Sequence, residues 1–145
     1  MTTTAAPTQQ ARYLASATAS GREGRAVTSD GRLDVMLAAP RELGGSGEGT
    51  NPEQLFAAGY AACFASALGL VARQRRVEGF DAAVTADVSL SGTPGQGFSL
   101  GVVLDVELPD GLDADLGREL VDRAHEVCPY SNATRGNIPV ELRVS

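Results

Sequence analysis

Two cysteines and a single histidine are the side chains of this 145-residue chain best suited to nucleophilic or redox chemistry. Cys63 lies in an apolar stretch, and Cys128 directly precedes a proline. A reactive cysteine needs a nearby positive charge to hold its thiolate, and a second thiol can take up its oxidised form. His125, three residues before Cys128, could form a Cys–His pair with it. Spacing alone does not show whether the two thiols meet.

These residues also have a purely structural interpretation. A cysteine in an apolar helix packs as a small hydrophobe, and burial raises the pKa of its thiol and makes it inert. A lone histidine near a helix end is commonly a surface residue. Both interpretations stay open for Cys63 and His125 when each residue is considered by itself.

The element that must position Cys63 is one long helix, predicted over residues 50–76. Asn51 is a favourable N-cap, and Pro52 suits the first helical position, where its missing N–H is not needed. Glu53 places negative charge at the positive end of the helix dipole. The start of this helix is therefore well marked.

This helix has an apolar surface on every side. Residues 55–72 include no charged residue, and at about 1.5 Å per residue they span roughly 27 Å. A helix without a polar stripe must be surrounded by protein or by lipid. We expect protein, supplied partly by a second subunit, and no membrane span.

An aromatic stripe accompanies Cys63. Phe56, Tyr60 and Phe64 follow one side of the helix at spacings of four. Such stripes usually pack in a core, but this one could equally line an apolar substrate pocket beside Cys63. We therefore treat the three aromatic residues as candidate substrate-binding residues.

Composition limits the functional class. The formal net charge is −6, with only 12 Lys and Arg, which argues against nucleic acid or an anionic membrane surface as partners. Two cysteines are too few for a disulfide-framed secreted scaffold, and MTTTAAPTQQ lacks the features of a signal peptide. We expect a cytoplasmic protein with a mobile tail over residues 1–10 and a single domain over residues 11–145.

The remaining patterns predict an α+β domain built on antiparallel sheet. Alternating apolar residues predict strands at 13–19, 25–29, 32–37, 84–90, 98–108 and 140–144. Asp30-Gly31 suits a two-residue hairpin turn, and helical spacing predicts a second helix over 112–127, which Pro129 should stop. The glycine-rich loop before the long helix does not complete a phosphate-binding motif.

Two motifs resemble the organic hydroperoxide resistance (Ohr) branch of the Ohr/OsmC family of thiol peroxidases. They are NPEQLFAAGYAACF and VCPYSNATRGN, and the resemblance continues over nearly the whole chain after the tail. It implies that Cys63 is the peroxidatic cysteine, Cys128 the resolving cysteine and Glu53 the family's glutamate. The family's arginine lies in a GGRDG-like turn; here SGREG is one glycine shorter, so Arg22 is the match and Arg25 the alternative.

The resemblance also implies a fold and an activity. The fold would be the OsmC/Ohr-like fold, with antiparallel sheets packed around the long central helices of an intertwined homodimer. The activity would be reduction of organic hydroperoxides, with no cofactor or metal and with an external dithiol as reductant, typically a lipoyl group on a carrier protein. Arg22 would hold Cys63 as thiolate, and Glu53 would orient Arg22.

Helix geometry then predicts a shared site. Glu53 and Cys63 are ten residues apart, roughly 15 Å along one helix. Two copies crossing antiparallel near Ala58 and Gly59 would bring Glu53 of one subunit toward Cys63 of the other. The alternative is that Glu53 only caps its own helix.

Two other functions stay open at this stage. One is a peroxidase of the OsmC-like branch with a different peroxide preference. The other is a non-catalytic protein that binds an apolar ligand or senses redox state.

Overall fold

The computed structural model describes residues 10–145, so the predicted tail over residues 1–10 lies outside the described residues except for its last position. The chain divides into two compact units between residues 51 and 52. The first unit is a small sheet with a loop, and the second contains the helices and a larger sheet.

The first unit contains a three-stranded antiparallel sheet of order β1-β2-β3. Its elements are β1 (Ala17–Ala19), β2 (Arg25–Thr28), β3 (Asp34–Met36) and a short 3₁₀ helix (Arg41–Leu43). The predicted first strand, 13–19, is therefore too long: Tyr13 and Leu14 are 81% and 82% exposed and lie before it. Because neither side chain is buried, these two residues do not form the buried face that an alternating strand requires.

The β2–β3 turn is longer than the predicted two-residue hairpin. The N–H of Thr28 donates to the carbonyl of Leu33 across it. Within the loop, Asp30 accepts hydrogen bonds from the Thr28 hydroxyl at 2.7 Å and the Arg32 N–H at 3.0 Å, while Gly31 adopts a φ of +72°. Asp30 thus stabilises a longer loop through its carboxylate, whereas the Asp-Gly pattern predicts only a two-residue turn.

The second unit comprises three helices and a three-stranded sheet of order β4-β5-β6. Its elements are α1 (Pro52–Gln74), β4 (Ala83–Thr93), β5 (Gly97–Glu107), α2 (Ala114–Val127), α3 (Pro129–Thr134) and β6 (Val140–Val144). These bounds agree with the predicted long helix, second helix and last three strands to within a few residues. The predicted α+β class is confirmed.

This second sheet is mixed, which differs from the expectation of purely antiparallel sheet. β4 and β5 form an antiparallel hairpin with Val88 opposite Val102. β6 lies parallel to β5, with Leu104 opposite Leu142. The chain returns through α2 and α3, and a helical crossover of this kind brings the next strand back in the same direction.

α1 and α2 cover one face of this sheet. The largest buried side chains of the core come from α1, β5 and α2: Tyr60, Phe64, Leu68, Val71, Leu104, Val106, Leu120 and Val121. Alternation along β5 directs Val102, Leu104 and Val106 inward, so burial follows the pleat. α1 and α2 both pack on this core, which fixes the positions of the residues that they carry.

The opposite side of α1 is open in the single chain. Ala58, Ala62, Ser66 and Leu70 recur every four residues and are exposed, Leu70 to 43%. Among the described residues, α1 is the one helix long and apolar enough to cross a membrane by length and composition alone. A core helix of a folded domain passes the same test.

Candidate active site

The two cysteines lie close together in the second unit. The Sγ atoms of Cys63 and Cys128 are 3.6 Å apart, and both residues are free thiols. Cys128 is fully buried, whereas Cys63 is half-buried. Because a disulfide has an S–S distance of about 2.05 Å, a small approach of the two sulfurs would join them. The structure therefore brings together the two thiols that sequence spacing alone could not.

Cys128 occupies the junction between α2 and α3. It is the C-cap of α2, where its N–H donates to the Ala124 carbonyl, and the N-cap of α3. Pro129 follows at the start of α3, where its missing N–H costs no hydrogen bond. Pro129 ends α2 as predicted, but it also begins a short helix that was not predicted.

Burial controls the protonation of Cys63 within this unit. Desolvation raises the pKa of the Cys63 thiol, the backbone N–H of Tyr130 lowers it by donating to the sulfur, and the neighbouring Cys128 raises it again. The net direction of the pKa shift is upward. The second unit alone thus favours the thiol, and a reactive thiolate needs an additional positive charge.

Three aromatic rings pack together on α1, which carries Cys63, and on α3, which Cys128 caps. Tyr130 packs at 6.0 Å from Phe56 and 5.6 Å from Tyr60, measured between ring centroids. Gly59 permits this arrangement, since a Cβ atom there would lie 2.7 Å from the Tyr130 hydroxyl oxygen. Gly59 therefore faces Tyr130 of its own chain. Tyr130 was not predicted as a site residue, although it directly follows the Cys128-Pro129 pair.

The candidate substrate-binding residues differ in exposure. Phe56 is half-buried beside Tyr130, which is 37% exposed. Tyr60 and Phe64 have no exposed surface; Phe64 packs in the core and against the ring of His125. Substrate binding by all three stays a prediction, and Phe56 is the one whose surface is partly open in the single chain.

A buried network of hydroxyl groups lies next to the cysteines. We call the four side chains of Tyr60, His125, Ser131 and Thr134 the hydroxyl network. The Tyr60 hydroxyl is 2.8 Å from Ser131 Oγ and 3.2 Å from Thr134 Oγ1, and His125 Nδ1 is 2.8 Å from Ser131 Oγ. This nitrogen of His125 is therefore engaged by a hydroxyl, and not by the thiol of a Cys–His pair. Ser131 and Thr134 were not predicted as site residues, because their roles depend on long-range contacts.

The arginine turn belongs to the first unit. Arg22 is exposed in the turn formed by residues 20–24, whose close packing requires Gly24, because a Cβ atom there would lie 2.2 Å from the Ser20 hydroxyl oxygen. Glu23 anchors the turn by accepting a hydrogen bond from the Ala39 N–H at 3.0 Å.

Arg25, the alternative to Arg22, lies on β2 and pairs with Asp34 on β3. Its guanidinium donates two hydrogen bonds of 2.6 Å to the carboxylate. This pairing raises the pKa of Arg25 and lowers the pKa of Asp34. Arg25 is therefore engaged within its own sheet, whereas Glu53 lies in the first turn of α1 in the second unit.

The chain is similar over most of its length to known proteins. The family described as OsmC-like protein matches residues 45–143. An organic hydroperoxide resistance protein of Xanthomonas axonopodis pv. citri is 54% identical over 92% of this chain and 94% of its own length. Organic hydroperoxide resistance protein OhrB of Bacillus subtilis is 47% identical over 86% of this chain and 90% of its own length.

A solved structure extends this similarity to the fold. The structure of an organic hydroperoxide resistance protein from Legionella pneumophila has a TM-score of 0.88 and 52% identity, and the match covers 94% of this chain and 99% of that one. This chain is therefore similar to that protein in both sequence and fold.

Proposed function

This chain belongs to the OsmC-like family, and from that membership we propose that it is a homodimeric thiol peroxidase that reduces organic hydroperoxides to alcohols. The observation that carries the proposal is the 3.6 Å separation of the Cys63 and Cys128 sulfurs. It allows one thiol to react and the other to resolve the product. The peroxide class follows the names of the relatives.

The proposed reaction has three steps. The Cys63 thiolate attacks the terminal oxygen of the hydroperoxide, the O–O bond breaks, and the alkoxide leaves and is protonated to the alcohol. Cys63 is then a sulfenic acid. Cys128 attacks its sulfur, so that a Cys63–Cys128 disulfide forms and water leaves. An external dithiol reduces this disulfide and itself becomes a disulfide.

Arg22 is proposed to supply the positive charge that Cys63 requires. Burial raises the pKa of the thiol, so a cation must stabilise the thiolate and, later, the alkoxide. Arg22 is chosen because it is the match to the arginine of the family's turn; Arg25, the alternative, is paired with Asp34 within its own sheet. Glu53 is proposed to hold the Arg22 guanidinium in position.

The dimer is proposed because α1 leaves one face uncovered. The small residues Ala58, Ala62 and Ser66 follow one another every four residues on this face, followed by Leu70. Small side chains allow two helices to approach closely, and burial of the alanine and leucine side chains removes apolar surface from water. A second α1 crossing here would also bring Glu53 of one subunit toward Cys63 of the other.

The substrate and reductant are assigned by chemistry. Phe56 and the half-exposed Tyr130 present aromatic surface near Cys63 that suits an apolar hydroperoxide, with fatty-acid-derived peroxides as a natural class. The reductant is proposed to be a lipoyl group on a carrier protein, and the location cytoplasmic, without a resident cofactor or metal.

The deciding experiment is peroxide consumption by the purified protein with dihydrolipoamide or with monothiol reductants. We expect turnover with the dithiol and an organic hydroperoxide. Equal or faster turnover of hydrogen peroxide would instead favour the OsmC-like branch. A lack of turnover with both peroxides would contradict the peroxidase and favour a non-catalytic sensor or ligand-binding protein.

A further inference from the structure

We propose that Tyr60, His125 and Ser131 are positioning residues for the resolving step, because the hydroxyl network holds Cys128 at the distance from which it can attack oxidised Cys63. This inference rests on the proposed function. The inference goes beyond that function by assigning a role to buried polar residues that the peroxide-reduction step does not use.

The hydroxyl network joins the three helices that carry or flank the two sulfurs. Tyr60 lies on α1, His125 on α2, and Ser131 and Thr134 on α3. Tyr60 and Ser131 have no exposed surface, and Thr134 is 2% exposed. Their hydroxyl groups therefore find hydrogen-bond partners in one another, in His125 and in the Ser131 carbonyl. Displacing α3 would break bonds that water could not easily replace.

The hydroxyl network lies within one helical turn of each sulfur. Tyr60 precedes Cys63 by three residues on α1, so both side chains lie on neighbouring turns. Ser131 follows Cys128 by three residues and is hydrogen-bonded to α1 through Tyr60 and to α2 through His125. The bond between Tyr60 and Ser131 therefore ties the segment that carries one sulfur to the helix that carries the other.

This restraint matters for one chemical step. When Cys63 is a sulfenic acid, the Cys128 sulfur attacks the Cys63 sulfur, the S–O bond breaks, and the departing hydroxide is protonated to water. The sulfurs start 3.6 Å apart and must reach about 2.05 Å. If α3 is less restrained, fewer molecules start at this distance, and the sulfenic acid persists. Excess peroxide then oxidises it to sulfinic acid.

Peroxide reduction precedes this step and involves the Cys63 sulfur and the hydroperoxide. Loss of the hydrogen bonds of Ser131 or His125 should therefore slow disulfide formation, while the first reduction of peroxide keeps its rate. A general loss of folding would lower both rates together. This difference between the two rates separates a positioning role from a merely structural one.

The test compares Tyr60→Phe and Ser131→Ala with a control at an exposed serine, Ser89→Ala. The Ser89 hydroxyl donates to the Gly101 carbonyl within the β4–β5 hairpin. Each protein receives one equivalent of cumene hydroperoxide, and alcohol, sulfenic acid and disulfide are followed by rapid quenching and mass spectrometry. We expect disulfide formation slower by about tenfold in both test variants, comparable to the loss of one hydrogen bond, and alcohol formation within about twofold of the parent in Ser131→Ala. The control should match the parent at both steps.

A second pair of variants guards against misfolding. His125→Asn keeps an amide group near the position of Nδ1, whereas His125→Leu removes the hydrogen-bonding group. We expect His125→Asn to retain most of the parent's rate of disulfide formation and His125→Leu to lose it. Under excess peroxide, His125→Leu should also accumulate more sulfinic acid. Thermal unfolding of every variant establishes that the rates are measured on folded protein.

The outcomes distinguish this inference from the proposed function. Failure of the parent protein to reduce cumene hydroperoxide would overturn the peroxidase, and disulfide formation with the thiol oxidant diamide would then still compare the variants. If disulfide formation is as fast in the folded Tyr60→Phe, Ser131→Ala and His125→Leu proteins as in the parent, the positioning role is wrong. Slower disulfide formation in these variants alone supports it.

Discussion

At the scale of single residues, the two cysteines are expected to have unequal roles. Cys63→Ser should abolish peroxide reduction, because the nucleophile is gone. Cys128→Ser should still form one equivalent of alcohol and then stop at the sulfenic acid, because the resolving thiol is needed only afterwards. Alcohol yield per protein after addition of one equivalent of peroxide, without reductant, measures this. The reverse pattern would mean that the roles are exchanged.

The charge that activates Cys63 gives a second prediction. Arg22→Ala should raise the pKa of Cys63, so that its alkylation rate at pH 7 falls by about tenfold, since a neighbouring cation stabilises a thiolate by at least this much. The pH dependence of the alkylation rate measures the change. Arg25→Ala is the control: it breaks an exposed ion pair with Asp34, which contributes little to stability, and it should leave the alkylation rate unaltered. An effect of Arg25→Ala alone would reassign the arginine.

His125 makes stability depend on pH in a definite direction. Burial lowers the pKa of His125 from its ordinary value of 6.5, and the nearby charge of Arg135 lowers it further, against a smaller opposing effect of Asp122. Between the ordinary and the lowered pKa the unfolded chain binds more protons than the folded one, so stability falls as the pH drops below 6.5.

Because His125 is the single histidine, its variant isolates this effect. Denaturant unfolding of the parent and of His125→Asn, measured between pH 7.5 and pH 5, should show a smaller loss of stability in the variant. Parallel curves for the two proteins would show that His125 does not contribute to the pH dependence.

At the scale of elements, α1 contains two glycines with opposite expected responses to alanine. Gly69 has open surroundings: a Cβ atom there would lie 3.5 Å from its nearest neighbour, the flexible end of the Arg73 side chain. Gly69→Ala should therefore raise the free energy of unfolding by about 0.8–1.0 kcal/mol through helix propensity.

Gly59→Ala should lower the stability instead. Its Cβ would lie 2.7 Å from the Tyr130 hydroxyl oxygen and 3.2 Å from two ring atoms, so the ring must move. Overpacking of this kind typically costs about 1–3 kcal/mol, which exceeds the helix-propensity gain. Denaturant midpoints of the two variants provide the comparison. If Gly59→Ala and Gly69→Ala stabilised the protein equally, the Tyr130 ring would be able to move without loss of stability.

At the scale of the whole molecule, the proposed dimer predicts complementation between subunits. Cys63→Ser and Glu53→Ala homodimers should each be inactive or nearly so. A mixed dimer should regain one intact site, if each site combines Cys63 of one chain with Glu53 of the other. Activity should therefore reappear after subunit exchange. If mass spectrometry confirms exchange and activity stays at the level of the parents, the shared site is wrong.

The sequence by itself determined the local structure because its signals act over a few residues. Asn51 and Pro52 marked the start of α1, and helical spacing placed α2 on residues close to those observed. Alternation along β5 indicated which side chains are buried. Two long motifs also identified the family, which the similarity to known proteins confirms.

Only the tertiary structure decided how these elements meet. Cys63 and Cys128 are separated by 65 positions, and their 3.6 Å approach depends on how α1 and α2 pack on one sheet face and how α3 packs against both helices. The parallel pairing of β6 and the partners of Ser131 and Thr134 have the same origin. Such contacts arise when apolar faces are buried together, and no signal within a few residues of sequence specifies which buried hydroxyl will find which partner.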